Sequence, residues 1–210
     1  MARRRRIPRK PASTNFYLVD ANFLANKFIP YARVTDSRER TRVERSQDWW
    51  VEIDAQRQRG DAVIYIPDVC IAEAFKVLAR KYYEHKYFKN SAEYKLARDA
   101  LSEFIHLSPK RLKASERHMS VHDLSTSRDI IIAIDRFFEI FFKHKLSASV
   151  IDLLILATAK YLIDFFRIPA DRFFIVTLDS SLWRGSRKLP DIPSGFNPNA
   201  ESELASKVFT

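Results

Sequence analysis

The strongest limit on the fold of this chain is a series of short, β-rich apolar runs separated by long stretches of helical spacing. Phe16-Tyr17-Leu18-Val19, Ala62-Val63-Ile64-Tyr65-Ile66 and Phe173-Phe174-Ile175-Val176-Thr177 are such runs, and strands covered on both faces read this way. A weaker strand is expected at Met119-Ser120-Val121-His122. Between the runs lie expected helices: residues 21–29, stopped by Pro30, and roughly 35–59, where Trp49, Trp50 and Ile53 share one face. After Pro67, Asp68 is an expected N-cap for a helix with Val69, Ala72, Glu73, Lys76, Val77 and Arg80 at helical spacing. One or two helices are expected across 81–117, then one near 127–143 and one near 149–163. Residues 184–210 read mostly as loop, with a last strand at Lys207-Val208-Phe209. Strands alternating with helices pair in parallel, so the expected fold is a three-layer α/β/α sandwich with a central, mostly parallel sheet and extra helical insertions.

The length of 210 residues suits one domain, residues 14–210, behind a basic tail at 1–13. A hydrophobic content of 46% supplies a core and argues against global disorder. The formal charge of +10 favours a polyanionic partner, since Lys and Arg gain by displacing counterions from phosphates. In the tail, Arg3, Arg4, Arg5 and Arg6 read either as an electrostatic arm for RNA or as a solvated leader. The 3 glycines, Gly60, Gly185 and Gly195, are scattered. That excludes the clustered glycine loops of Walker and dinucleotide-fingerprint enzymes. The lone Cys70 excludes an intrachain disulfide and a multi-cysteine zinc module, and its apolar neighbours make it an expected core thiol. No run approaches the ~20 apolar residues of a membrane span, and the expected location is cytoplasmic.

Four acids stand where chemistry is expected, because ligands of such sheets bind at the carboxyl ends of the strands. Asp20 ends the first apolar run, and Asp179 lies two residues beyond Thr177. Either could be only a turn former or a cap. Glu73, in Cys70-Ile71-Ala72-Glu73-Ala74-Phe75, and Asp152, in Val150-Ile151-Asp152-Leu153-Leu154-Ile155, sit in apolar surroundings. A buried carboxylate there calls for a cation; the other reading of Asp152 is a capping role near Ser149.

Phe16-Tyr17-Leu18-Val19-Asp20-Ala21-Asn22 resembles the opening of PIN-domain nucleases. Ile66-Pro67 leading to Ala72-Glu73-Ala74-Phe75 resembles their second acidic motif. Leu146-Ser147-Ala148-Ser149-Val150-Ile151-Asp152 resembles the third, and Ile175-Val176-Thr177-Leu178-Asp179 the fourth. The resemblance spans about residues 15–183. It implies a metal-dependent endoribonuclease in which Asp20, Glu73, Asp152 and Asp179 hold Mg²⁺ or Mn²⁺ for hydrolysis of RNA phosphodiesters. Asp20 and Asp152 would be the direct ligands, and Glu73 and Asp179 would orient waters or hold a second ion. Asn22 and Thr177 would position a water or phosphate, or serve as turn and cap. Likeness to VapC-type members implies a homodimer and an antitoxin-like inhibitor as partners. The chain departs from those compact members by its surplus around 31–60 and 81–117 and by its tail.

Other residues carry less. His118 and His122 share a strand face without a third ligand. Lys81-Tyr82-Tyr83-Glu84-His85-Lys86-Tyr87-Phe88-Lys89 interleaves cations with rings, as a single-strand binder does and as a helix with a snorkelling lysine face also does. Two other functions stay open. One is a non-catalytic RNA- or ribonucleoprotein-binding protein on the same fold. The other is a phosphatase with Asp20 as nucleophile, which Asn22 in place of a second Asp disfavours.

Overall fold

The structure is a computed structural model that describes residues 14–105, 121–188, 192–193 and 195–200. The basic tail, Met119 and Ser120 of the third expected strand, His118, and the expected strand at Lys207-Val208-Phe209 lie outside the described residues.

Five strands, β1 (Asn15–Val19), β2 (Ala62–Pro67), β3 (Val121–Leu124), β4 (Phe173–Val176) and β5 (Gly195–Phe196), form one sheet in the order β3-β2-β1-β4-β5. Every pairing is parallel, with Leu18 opposite both Tyr65 and Ile175. The helices among the described residues are α1 (Ala21–Asn26), α2 (Ser37–Arg59), α3 (Asp68–Tyr83), α4 (Ser91–Ile105), α5 (Arg128–Lys143), α6 (Val150–Phe166) and α7 (Ser180–Ser186). They cover the sheet in an α/β/α sandwich, so Tyr17, Leu18, Val19, Ile175 and Val176 are fully buried. That burial is why the central strands show no polar alternation.

Local chemistry sets the helix ends. Asp36 caps α2 by accepting the Glu39 N–H at 2.7 Å. Gly60, at φ +83°, turns the chain out of that helix, and the Asp61 N–H returns to the Gln56 carbonyl at 2.9 Å. Along α2, Val43, Trp49, Trp50 and Ile53 are buried. Trp50 stacks on Phe23 at 4.8 Å between centroids and donates its indole N–H to the Phe23 carbonyl at 2.9 Å. The surplus at 31–60 is thus mainly this long helix, locked into the core by tryptophan.

Several boundaries differ from expectation. Residues 27–29 leave α1 as a turn. Asp68 is the first residue of α3 and not its N-cap, which is Pro67. Its carboxylate accepts the Thr126 N–H at 3.0 Å and the Thr126 hydroxyl, tethering the segment after β3. The region read as loop, 184–210, holds the end of α7 and β5, both elements too short to show a period. No helix among the described residues is long and apolar enough to cross a membrane.

Candidate active site

In an all-parallel sheet every strand ends at one edge, and there β1 leads directly into Asp20 and β4 into Asp179 three residues on. The Asp20 N–H extends the ladder to the Val176 carbonyl at 3.0 Å. Its carboxylate then turns inward, 4% exposed. Oδ1 accepts the Phe23 N–H at 2.6 Å, capping α1. Oδ2 accepts the Thr177 hydroxyl and, at 2.9 Å, the Leu178 N–H. Burial pushes the Asp20 pKa from 3.8 up to about 6; the three hydrogen bonds pull it down, and the charge of Asp179 pushes it up further.

Asp179 is exposed and caps α7, its Oδ1 accepting from Ser181 N–H at 2.6 Å and Leu182 N–H at 2.9 Å. Glu73 is half-buried in the second turn of α3, with no hydrogen bond or ion pair among the described residues. Asp152 reaches the rim from another layer. Helix α6 leads back to the start of β4, so its own first turn lies toward the opposite edge, where the strands end. There Asp152 and Ser149 form a reciprocal capping box. Asp152 Oδ2 accepts the Ser149 N–H and hydroxyl, both at 2.8 Å, and Ser149 Oγ accepts the Asp152 N–H at 3.1 Å. The capping reading of Asp152 is therefore realised through one of its two carboxylate oxygens. Burial and then the Asp179 charge raise the Asp152 pKa against the hydrogen bonds from Ser149.

The buried Cys70 ties the group together. Its thiol is held well above its usual range by burial first, and then by the charges of Asp20, Glu73 and Asp152. Asp179 acts on both Asp20 and Asp152. The four acids are thus one electrostatic neighbourhood contributed by four separate segments. Among the described residues no three His, Cys, Asp or Glu side chains close into a metal cage. The donors nonetheless fit one kind of ion. All are hard oxygens, the Glu73 carboxylate is uncommitted, and Asp152 and Asp179 each keep one oxygen that accepts no hydrogen bond among the described residues. Hard oxygens of this kind are the donors that Mg²⁺ and Mn²⁺ take, one or two carboxylates at a time with several waters kept.

No family model and no curated protein matches the sequence. Solved structures do. FitAcB from Neisseria gonorrhoeae superposes with a TM-score of 0.50 at 16% identity, covering 87% of this chain and 97% of the other. FitAB bound to an IR36 DNA fragment gives 0.51 at 16% identity, covering 87% and 95%. VapBC2 from Rickettsia felis, bound to a DNA fragment from their promoter, gives 0.48 at 11%, covering 87% and 98%. The chain has the PIN fold of the FitAcB and FitAB structures. At these identities the likeness concerns the PIN fold alone.

Two further expected residues of this PIN fold occupy different settings. Asn22, on α1, is half-buried and its amide makes no hydrogen bond among the described residues. Thr177 is fully buried. Its hydroxyl donates to Asp20 and accepts the Asp179 N–H at 2.9 Å, so it orients the Asp20 carboxylate, holds the Asp179 backbone and is turned inward. His122 stacks on Tyr65 in the sheet, at 5.4 Å. Sequence reading missed Arg42. Its guanidinium reaches the Leu178 carbonyl at 3.4 Å and Glu39 at 2.7 Å, and Glu39 also pairs with the buried Lys81. This chain of contacts ties α2 and α3 to the loop that carries Asp179. Arg42 and Leu178 lie 136 residues apart, and no local pattern announces such a pair.

Proposed function

We propose that the chain is a divalent-metal-dependent endoribonuclease that hydrolyses RNA phosphodiester bonds at the Asp20–Glu73–Asp152–Asp179 rim. What supports this reading is that four acids from four segments gather at the strand-end edge of a PIN fold: the charge of Asp179 acts on Asp20 and Asp152, and Asp20, Glu73 and Asp152 all act on the buried Cys70 between them. Carboxylates gathered without cations raise one another's pKa, and a fold keeps such an arrangement at a cost to stability. Asp20, Glu73, Asp152 and Asp179 would hold Mg²⁺ or Mn²⁺. When bound, the ion polarises a phosphoryl oxygen and lowers the pKa of water. The protein's own groups do the rest. Thr177, with the Leu178 and Phe23 amides, fixes the Asp20 carboxylate in one orientation. Ser149 does the same for Asp152. Asn22 offers an unengaged amide beside them to a phosphate or water. The net charge of +10 favours the approach of RNA, and Arg3, Arg4, Arg5 and Arg6 are part of that charge.

The partners that belong to this reading are RNA, a second copy of the chain and an antitoxin-like inhibitor; the likeness to the FitAB structure supports the last. A second reading, an RNA-binding protein without catalysis, is favoured by the engagement of Asp152 in its capping box. A labelled, structured RNA pool incubated with Mg²⁺ or Mn²⁺ separates the two. Cutting that stops with EDTA and in Asp152→Asn supports the nuclease. Intact RNA with wild type under every metal condition, alongside salt-sensitive binding, would leave the binding protein as the better account.

A further inference from the structure

Helix α3 begins at the acidic rim and ends beside a hollow of about 610 Å³, a size typical of ligand sites, roughly 300–1,000 Å³. Tyr82, Tyr83 and Phe88 line it together with Arg33, Lys86 and Lys89. The lining holds three cations and no carboxylate, and none of the three is in an ion pair among the described residues. Lysines that snorkel along a helix do not account for this. In the segment, Lys81 is the cation claimed by Glu39, whereas Lys86 and Lys89 are exposed beyond the helix end.

The rings are held in place from behind. Tyr82 stacks face to face on Tyr94, centroids 4.6 Å apart and planes 5° from parallel, and Phe88 meets Tyr94 edge-on at 5.7 Å. Tyr83 abuts Tyr82 edge-on at 4.7 Å and is 64% exposed. Lys86 has φ +58°, a left-handed conformation uncommon for a residue with a side chain. It folds the chain back, so the Tyr87 N–H reaches the Lys81 carbonyl at 3.0 Å and Tyr87 and Phe88 are buried. Lys86 and Lys89 stay outside. Rigid rings with one open face, bordered by unpaired cations, are the parts of a single-strand binding platform: stacking takes the bases and the cations take the phosphates.

We propose that this hollow binds single-stranded RNA, with a base stacked on Tyr83 and backbone phosphates against Arg33, Lys86 and Lys89. Tyr83 is ten helical steps on from Glu73, about 15 Å along α3, so a strand held here passes on to the rim. That last step rests on the ribonuclease reading; the binding does not.

The test uses the full chain in EDTA, where metal-dependent cutting is absent, and a labelled oligouridylate about a dozen nucleotides long. Tyr83→Leu, which keeps apolar bulk but loses the π face, is expected to weaken binding about tenfold, and Tyr83→Phe to retain it. Lys86→Ser with Lys89→Ser is expected to flatten the slope of log affinity against log salt by about 0.7 for each phosphate no longer neutralised. Duplex RNA of the same length and inorganic polyphosphate should bind more weakly and ignore Tyr83→Leu. The proposal is overturned if wild type does not bind the oligouridylate. It is equally overturned if folded Tyr83→Leu binds like wild type, or if duplex and polyphosphate respond to the substitutions as the single strand does. Loss of cleavage in every assay, with Tyr83-dependent binding intact, would sink the nuclease and leave the platform standing.

Discussion

The Thr177 hydroxyl donates to Oδ2 of Asp20 and accepts the N–H of Asp179, joining the strand-end acids of β1 and β4 through one buried side chain. Thr177→Val keeps the shape, removes a donor from Asp20 and strands an amide. A buried polar group left unpaired costs about 1–3 kcal/mol, so Thr177→Val is expected to unfold earlier in urea while Thr177→Ser stays near wild type. The Asp20 pKa should rise further in Thr177→Val, visible as a displaced pH profile of RNA cleavage. An unmoved profile in a protein of unchanged stability would show that this hydroxyl has no hold on Asp20.

Asp20 makes the metal-free protein sensitive to pH. Its folded pKa, about 6, lies above the ordinary 3.8, so between these values the folded state binds more protons than the unfolded one. Stability therefore falls as pH rises through roughly 4 to 6, by on the order of 3 kcal/mol from this group. Asp20→Asn should remove that pH-dependent decline while losing cleavage; its level of stability is lower, because its amide nitrogen cannot accept a hydrogen bond from the donors around Asp20. Urea titrations at several pH values check this, and parallel slopes for both proteins would contradict it.

Ser149 and Asp152 divide their work differently. Ser149→Ala removes the cap of α6 and should cost about 1 kcal/mol. Asp152→Asn keeps an acceptor for Ser149 and should cost less, yet abolish cleavage. Stability and activity thus separate between partners 2.8 Å apart. Equal stability losses with cleavage kept in Asp152→Asn would reduce Asp152 to a capping residue.

The pair Glu39–Lys81 buttresses the Asp179 loop through Arg42. Glu39→Gln leaves the buried Lys81 ammonium without its counter-charge; such a break costs about 3–5 kcal/mol where both partners are buried, and less here because Glu39 keeps some contact with solvent. Lys81→Met removes the charge itself and should cost less. Thermal unfolding of the two variants gives the order, and the reverse order would mean that Lys81 already finds solvent.

The layers and the rim were legible because they follow from local pattern. Apolar runs too short for helices and too continuous for half-exposed strands demand a sheet covered on both sides, and strand ends in such a sheet share one edge. Asp20 follows its run directly and Asp179 lies two residues past its own, so their common rim could be read from the chain. So could the capping box, a Ser three residues ahead of an Asp before an apolar stretch.

What local pattern does not carry is contact across the chain. Nothing near Arg42 points to Leu178, and nothing near Thr177 says that its hydroxyl turns inward to Asp20 and not outward to a phosphate. The basic and aromatic run at 81–89 is compatible with either a solvated helix face or a binding platform. Tyr94 from α4 and the left-handed turn at Lys86 bring its rings and cations around one hollow. The chain alone determined which residues carry charge, period and β preference. The tertiary structure decided which hydrogen bonds each acid spends, because that depends on neighbours far away in sequence and on the solvent that packing removes.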